Sequence, residues 1–296
     1  MRGLTRRVLR AAGRRLSALS ERLADDRPGE AHRRAVLSAN AGHDMAADPD
    51  EAHYARQYLS LITPALETLS AGKSAKILDL GCGHGRLTIP CAEFASAGRV
   101  VAVDFSASAL ASLAAGAKAK GLGNVGLCEA DAATFAAGLP PGSFDAALCC
   151  EVLYNVPEWR AVLSSLSKAL KPGGVLVVSL RSRWFELTRA AAARDMKSAR
   201  TARDAREGRF GDGDAWSCWH TPEEAAAAVT AAGLSVERVA GIGVLSGLPD
   251  DPFGRLLSPS RLVGDERCGL FELETSLASE YAGQGRYIAV VARRNP

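Results

Sequence analysis

Lys76-Ile77-Leu78-Asp79-Leu80-Gly81-Cys82-Gly83-His84-Gly85-Arg86 is the stretch from which the fold of this chain is read. An apolar run with the pattern of a buried strand carries one acid, Asp79, and ends in three glycines that alternate with other residues. Glycine reaches backbone angles that other residues avoid, and it removes the side chain that would block a ligand. A strand that feeds such a turn, with a helix following, makes a nucleotide-sized crevice at the strand's carboxyl end. Turns of dinucleotide folds are spaced G-x-G-x-x-G, and their helix amides cradle a pyrophosphate. Here the spacing is G-x-G-x-G, and an acid in the strand before it would repel a diphosphate. Asp79 suits a ligand that bears an ammonium group.

Outward from this turn, apolar runs and helical patterns alternate as in a parallel α/β sheet. Strands are expected at 77–80, 100–104, 125–128, 144–150 and 175–180, with helices at 86–95, 107–120 and 157–170. Asp104 ends the second strand, 19 residues after Gly85. An acid there can accept hydrogen bonds from both hydroxyls of a ribose. Capping is the ordinary alternative, and Ser106 can also cap the next helix. After the third strand comes Glu129-Ala130-Asp131-Ala132. Asp131 can accept from an adenine amino group while the next backbone amide, that of Ala132, donates to a ring nitrogen. Phe105 can give the adenine an apolar face; for Asp131 the alternative is a plain turn residue. Turn and acids together point to a phosphate-free nucleoside with an ammonium tail.

The chain has 296 residues, 47% hydrophobic and 23% charged, which suits a globular protein with a sizeable core. Seven cysteines occur without a C-x-x-C pair, so reduced thiols and no metal site are expected. No run of 18 apolar residues offers a membrane span. The twin Arg6-Arg7 is interrupted downstream by Arg14, Arg15, Glu21 and Arg22 rather than followed by an apolar export segment, so a cytoplasmic protein is expected. The net charge of +3 is uneven. Residues 1–35 hold ten arginines and four acids, whereas the remainder holds 26 basic and 29 acidic residues. Leu4, Val8, Ala12, Leu16, Leu19 and Leu23 recur at helical spacing among those arginines. Residues 1–45 therefore read as a basic amphipathic arm and linker, able to make weak contact with a membrane surface or a protein, or else solvated. The body shows no nucleic-acid face.

On Asp79–Gly85, Val101–Asp104, Asp131-Ala132, Ser143-Phe144-Asp145, Glu151–Pro157 and Leu170–Gly174, the chain resembles the class I S-adenosylmethionine-dependent methyltransferases. It is similar to their small-molecule, ubiquinone-type branch, which often carries His where this chain has Asn155. The resemblance covers roughly 50–240 and 286–293. It implies a Rossmann-like α/β fold: a seven-stranded, mostly parallel sheet with an antiparallel last strand at 287–292 and helices on both faces. It implies S-adenosylmethionine as cofactor, with the methionyl end held by backbone around Gly81, Cys82, Gly83 and Cys150 and its ammonium supported by Asp79. Gly85 belongs to the same turn, and Tyr54, on a helix before the sheet, would close over the cofactor.

Residues 46–296 are thus expected to form one methyltransferase domain, with a helical lid or acceptor-pocket insertion around 181–220. That insertion is rich in arginine and holds Trp184, Trp216 and Trp219. The expected activity is methyl transfer by in-line displacement to oxygen or nitrogen of a small organic acceptor. Such a reaction needs chiefly alignment and exclusion of water. His220, just before the helix start Thr221-Pro222-Glu223-Glu224, is the expected general base, against the alternative of a histidine bonded at that helix start. Tyr154, Asn155, Arg181, Trp184 and Trp219 are expected to contact the acceptor. The competing reading keeps the fold but assigns non-methylating chemistry or an inactive binding role.

Overall fold

The computed structural model describes residues 48–210, 215–248, 251, 254 and 257–295. The expected arm over 1–45 lies outside the described residues. Helix α1, Pro49–Glu67, starts with Pro49 in its first turn and Asp48 as cap: the Asp48 carboxylate accepts the amides of Asp50 and Glu51. Its stripe of Tyr54, Tyr58, Leu61, Ile62 and Leu66 is buried, as helical spacing requires.

Then the sheet begins. β1 is Lys76–Leu80, α2 Thr88–Phe94, β2 Arg99–Asp104, α3 Ala107–Ala119, β3 Val125–Glu129, α4 Ala132–Ala137, β4 Phe144–Cys149, α5 Trp159–Ala169 and β5 Leu170–Arg181. The next segment holds α6, Arg183–Ala192, and α7, Met196–Asp204. The strands β6, Glu207–Phe210, and β7, Ala215–Cys218, follow and pair with each other as an antiparallel hairpin. Helix α8, Pro222–Ala231, then leads to β8, Leu234–Ile242; α9 is Asp265–Leu277 and β9 is Tyr287–Arg294.

The main sheet has seven strands in the order β3-β2-β1-β4-β5-β9-β8. The first five run parallel, and β9 runs antiparallel to both β5 and β8. The expected fold is therefore found. β4 is buried along its whole length, and β1 is buried after Lys76, because helices cover both sheet faces. Alternation along the strands sorts side chains between two cores. Ile77, Leu148 and Val177 face α1 and α2, whereas Leu78, Ala147 and Leu176 face α4, α5 and α8. α5 buries Trp159, Val162, Leu163 and Leu166 on one side.

Two local expectations differ in detail. The turn Lys171–Gly174 lies inside β5, which begins at Leu170, so α5 ends at Ala169. The Arg-rich segment holds two helices and the β6–β7 hairpin, which was not foreseen. At α8 the Thr221 hydroxyl accepts the Glu224 amide at 3.3 Å, and the Glu224 carboxylate accepts the Thr221 amide at 2.9 Å. This is the reciprocal cap that the sequence Thr-Pro-Glu-Glu invites.

Candidate functional site

Strand order reverses at β1, whose neighbours are β2 and β4, and such a switch point opens a crevice at the carboxyl ends of the strands. A cavity of about 710 Å³ lies there, lined by the segments that follow β1, β2, β3 and β4. The glycine turn forms its floor. Gly81, Gly83 and Gly85 have φ of 80°, 50° and 90°, a region that favours glycine. A Cβ at Gly81 would come 2.1 Å from Val152 Cγ2, whereas one at Gly83 would meet nothing within 4 Å. Gly81 thus serves close packing, and Gly83 leaves room on the cavity side.

Four amides of this turn are already engaged. Those of Gly81 and Cys82 donate to the Val103 carbonyl at 2.7 and 3.0 Å, and that of Gly85 donates to Cys82. The Gly83 amide donates to Asp104 Oδ2 at 2.8 Å. A pyrophosphate cradle needs such amides free. Asp104 Oδ1 accepts the Ser106 amide at 2.9 Å, while the Ser106 hydroxyl caps α3 by accepting the Ala109 amide. Ser106 thus caps α3, while Asp104 sits on the cavity wall.

Asp79 is 2% exposed and accepts the Thr88 hydroxyl at 2.6 Å. Burial pushes its carboxyl up to about 6, only partly opposed by the Thr88 hydrogen bond. An anion so disfavoured suits a cationic ligand. Asp131 caps α4 by accepting the Thr134 amide at 2.9 Å, and it also lines the cavity. Cys82, Phe105, Ala132 and Cys150 line it as well. Glu151, beside Cys150, has φ of 62°, and its amide donates to the Ser179 hydroxyl at 2.7 Å. A non-glycine residue held there is costly and marks a constrained site.

Sequence reasoning missed an ion-pair arch above this floor. Arg86 reaches Glu51 of α1 at 2.5 Å and Glu151 at 2.5 Å. Burial raises the Glu51 carboxyl in spite of Arg86. Burial also acts on Glu151, but the guanidinium groups of Arg86 and Arg286 outweigh it and hold that carboxyl low. One signal was present: Glu51 falls on the same helical stripe as Tyr54, Tyr58 and Leu61, an odd place for an acid unless it has a buried partner. Arg286 and Tyr287, at the start of β9, also line the cavity and were not foreseen.

Other expected site residues lie elsewhere. Tyr54 is buried beside the cavity, not in its lining, and its hydroxyl donates to the Ser246 carbonyl at 3.1 Å. Gly85 packs on α3, where an added Cβ would come 2.3 Å from Leu113 Cδ1. Tyr154 and Asn155 do line the cavity. Arg181 sits behind that lining, over the rings of Tyr154, Tyr287 and Phe185. Trp184 is 48% exposed on α6. Trp219 is buried, its indole donating to the carbonyls of Ala202 and Ala205, so it staples the hairpin to α7. His220 is also outside the lining. Its backbone bridges to β5, its ring meets the Trp159 ring edge-on at 4.8 Å, and burial lowers it to about 4. The insertion thus packs His220 and Trp219 inward, against α5, α7 and β5, instead of turning them toward the cavity.

No helix among the described residues is long and apolar enough to cross a membrane. A family model described as Methyltransferase domain matches residues 71–225. A demethylmenaquinone methyltransferase of Geobacillus stearothermophilus is 33% identical over 123 residues, 41% of this chain and 52% of that protein. A ubiquinone biosynthesis O-methyltransferase of Idiomarina loihiensis is 35% identical over 108 residues, 36% of this chain and 43% of that protein. The chain spans about half the length of these curated relatives. Among solved structures, the Burkholderia thailandensis 1,6-didemethyltoxoflavin-N1-methyltransferase, with its substrate and S-adenosylhomocysteine bound, shares the fold. It has a TM-score of 0.56 at 17% identity, over 90% of this chain and 88% of that one. The match over more than half of its length shows that this chain belongs to the methyltransferase domain family.

Proposed function

We propose that the chain binds S-adenosylmethionine in the strand-end cavity and transfers its methyl group to oxygen or nitrogen of a small organic acceptor. The observation that carries this reading is the pairing of a buried, destabilised Asp79 with a glycine turn whose Gly81, Cys82, Gly83 and Gly85 amides are already spent on Val103, Asp104 and Cys82. That donor set fits a cation and rejects a diphosphate. The bound cofactor would supply a methyl carbon that is already electrophilic on its sulfonium. The work left to the protein is orientation and exclusion of water. In this reading Asp79 balances the ammonium and Asp104 accepts from the ribose. Phe105, Asp131 and Ala132 receive the adenine, and Gly81, Cys82, Gly83 and Cys150 shape the methionyl end. Tyr154 and Asn155 face the acceptor.

We take 46–296 as one catalytic domain, the 181–220 insertion as a buttress for its acceptor side, and a reducing, cytoplasmic setting for its free thiols. The partner is a small molecule. No nucleic acid is proposed, and contact through the basic arm stays a reading of the sequence.

The test is incubation with methyl-labelled S-adenosylmethionine and a panel of small hydroxyl and amine acceptors. Label should appear in a product. Cofactor binding with no label in any product would instead favour non-methylating chemistry on this fold.

A further inference from the structure

Away from the glycine turn, the cavity changes character. Tyr154, Asn155 and Tyr287 wall it, with Leu248 and Arg286 beside them. The two tyrosine rings lie 5.7 Å apart with a tilt of 47°. Behind them, outside the lining, the Arg181 guanidinium lies 4.1 Å from the Tyr154 ring centre and 4.3 Å from that of Tyr287. A cation held on one face of a ring draws on its negative quadrupole. With the Arg286 guanidinium also 5.7 Å from the Tyr287 ring centre, rings surrounded by cations in this way are good partners for an electron-rich plane.

Arg286 brings a guanidinium into the lining itself. Its Nη1 pairs with Asp251 Oδ2 at 2.5 Å, and its Nε is buried with no hydrogen-bond partner among the described residues. Asp251 is shared with its own loop: Oδ2 also accepts the Leu248 amide at 2.9 Å, and Oδ1 accepts the Gly254 amide at 2.7 Å. The nearby acids Glu51 and Glu151 both grip Arg86. Tyr287 also hydrogen-bonds the Arg286 side chain, so the donor left over is Nε, in a place where a buried donor without an acceptor is costly. A guanidinium fork is also the side chain best matched to an anionic oxygen.

We propose that Arg286 is the specificity residue of the acceptor site, and that the acceptor is a flat molecule bearing an ionised oxygen, such as an enolate, a carboxylate or an acidic phenol. The proposal rests on the methyltransferase reading and narrows its acceptor. An oxygen that arrives ionised has already lost its proton to solvent, which suits a wall of Tyr154, Asn155, Leu248, Arg286 and Tyr287, with the lining His84 on the glycine turn instead. The charge also discriminates against cationic amines.

The test is calorimetric titration of the full chain, saturated with S-adenosylhomocysteine, with two probes of similar shape. 2,4-Dinitrophenol is anionic at neutral pH, and 2,4-dinitroanisole is neutral. The phenolate should bind more tightly by about tenfold or more, the scale of one charge-assisted hydrogen bond. Arg286→Gln should abolish that preference. Arg286→Lys should keep part of it and covers the case in which the glutamine variant does not fold. Asp251→Asn, which loosens the loop but spares the guanidinium, should keep or increase the preference. Equal binding of the two probes, or no binding of either, would overturn the proposal. So would loss of the preference in Asp251→Asn as complete as in Arg286→Gln, since Arg286 would then be only a loop anchor. Failure of the methyltransferase reading looks different: S-adenosylhomocysteine itself does not bind. The preference for the phenolate is then read on the free protein, with the same two outcomes.

Discussion

The two ends of the cavity are built by different means. At the glycine turn, each contributing residue ends a strand or stands within two residues of its end: Gly81 after β1, Asp104 at the end of β2, Asp131 after β3 and Cys150 after β4. Backbone amides and short acids do the work, and the parallel sheet sets their spacing. At the other end Tyr154, Leu248, Arg286 and Tyr287 converge from distant parts of the chain. Long side chains do the work there, held by ion pairs and ring contacts such as Arg286 with Asp251 and Arg181 with the two tyrosines. A site made by strand ends is fixed by the fold. A site made by converging side chains can change its ligand while the fold stays.

Arg86 ties the glycine turn to α1 and to the segment after β4, so its removal should have the largest effect. Arg86→Met would leave the largely buried carboxylates of Glu51 and Glu151 without their cation, a loss on the order of 3–5 kcal/mol in denaturant unfolding. An unchanged unfolding midpoint would mean that these ion pairs do not stabilise the fold. Within the turn, Gly81→Ala should cost on the order of 3 kcal/mol, from left-handed backbone strain plus a clash with Val152. Gly83→Ala carries the strain alone, about 1 kcal/mol, and its methyl should weaken S-adenosylhomocysteine binding more than folding. Equal destabilisation by both would contradict their separate roles.

The next effect is one of pH. The Asp79 carboxyl stands near 6 in the folded protein against an ordinary value of 3.8. Between those values the folded state holds a proton that the unfolded chain has lost, so this group lowers stability as pH rises through that window. A cation bound beside Asp79 relieves that penalty. Affinity for S-adenosylhomocysteine should then rise from about pH 5 to about pH 7, by at most tenfold per unit, and Asp79→Asn should flatten the curve. A flat wild-type curve would remove Asp79 from the ammonium. The smallest effect belongs to the insertion. His220→Ala deletes a buried ring packed on Trp159 and should cost about 1–2 kcal/mol of stability, leaving turnover within about threefold. A hundredfold fall at native stability, the scale of a lost general base, would return His220 to the reaction.

The difference between the two ends also explains what the sequence could tell. The strands around the turn are apolar runs that alternate between two cores, and their glycines and acids sit at fixed offsets, so local pattern was enough. Thr221 and Glu224 announced their helix cap in the same way. Arg286 could not be recognised, because its role depends on its pairing with Asp251 and on the cavity wall it shares with Tyr154, which only the folded chain assembles. Trp184, Trp219 and His220 misled for a related reason. Aromatic residues after the fifth strand suit a pocket wall and a packed buttress equally, and burial decided for Trp219 and His220. The β6–β7 hairpin hid within an arginine-rich stretch whose charges favoured an exposed helix.

In the proposed function the strand-end acids hold a nucleoside with a cationic tail. Calorimetric titration of S-adenosylhomocysteine into the wild type and Asp104→Ala tests it most directly. The wild type should bind, and the variant, folded to the same unfolding midpoint within error, should bind more weakly by on the order of 1–3 kcal/mol, the cost of lost buried hydrogen bonds. Equal affinity in a folded Asp104→Ala, or no affinity in the wild type, would contradict it.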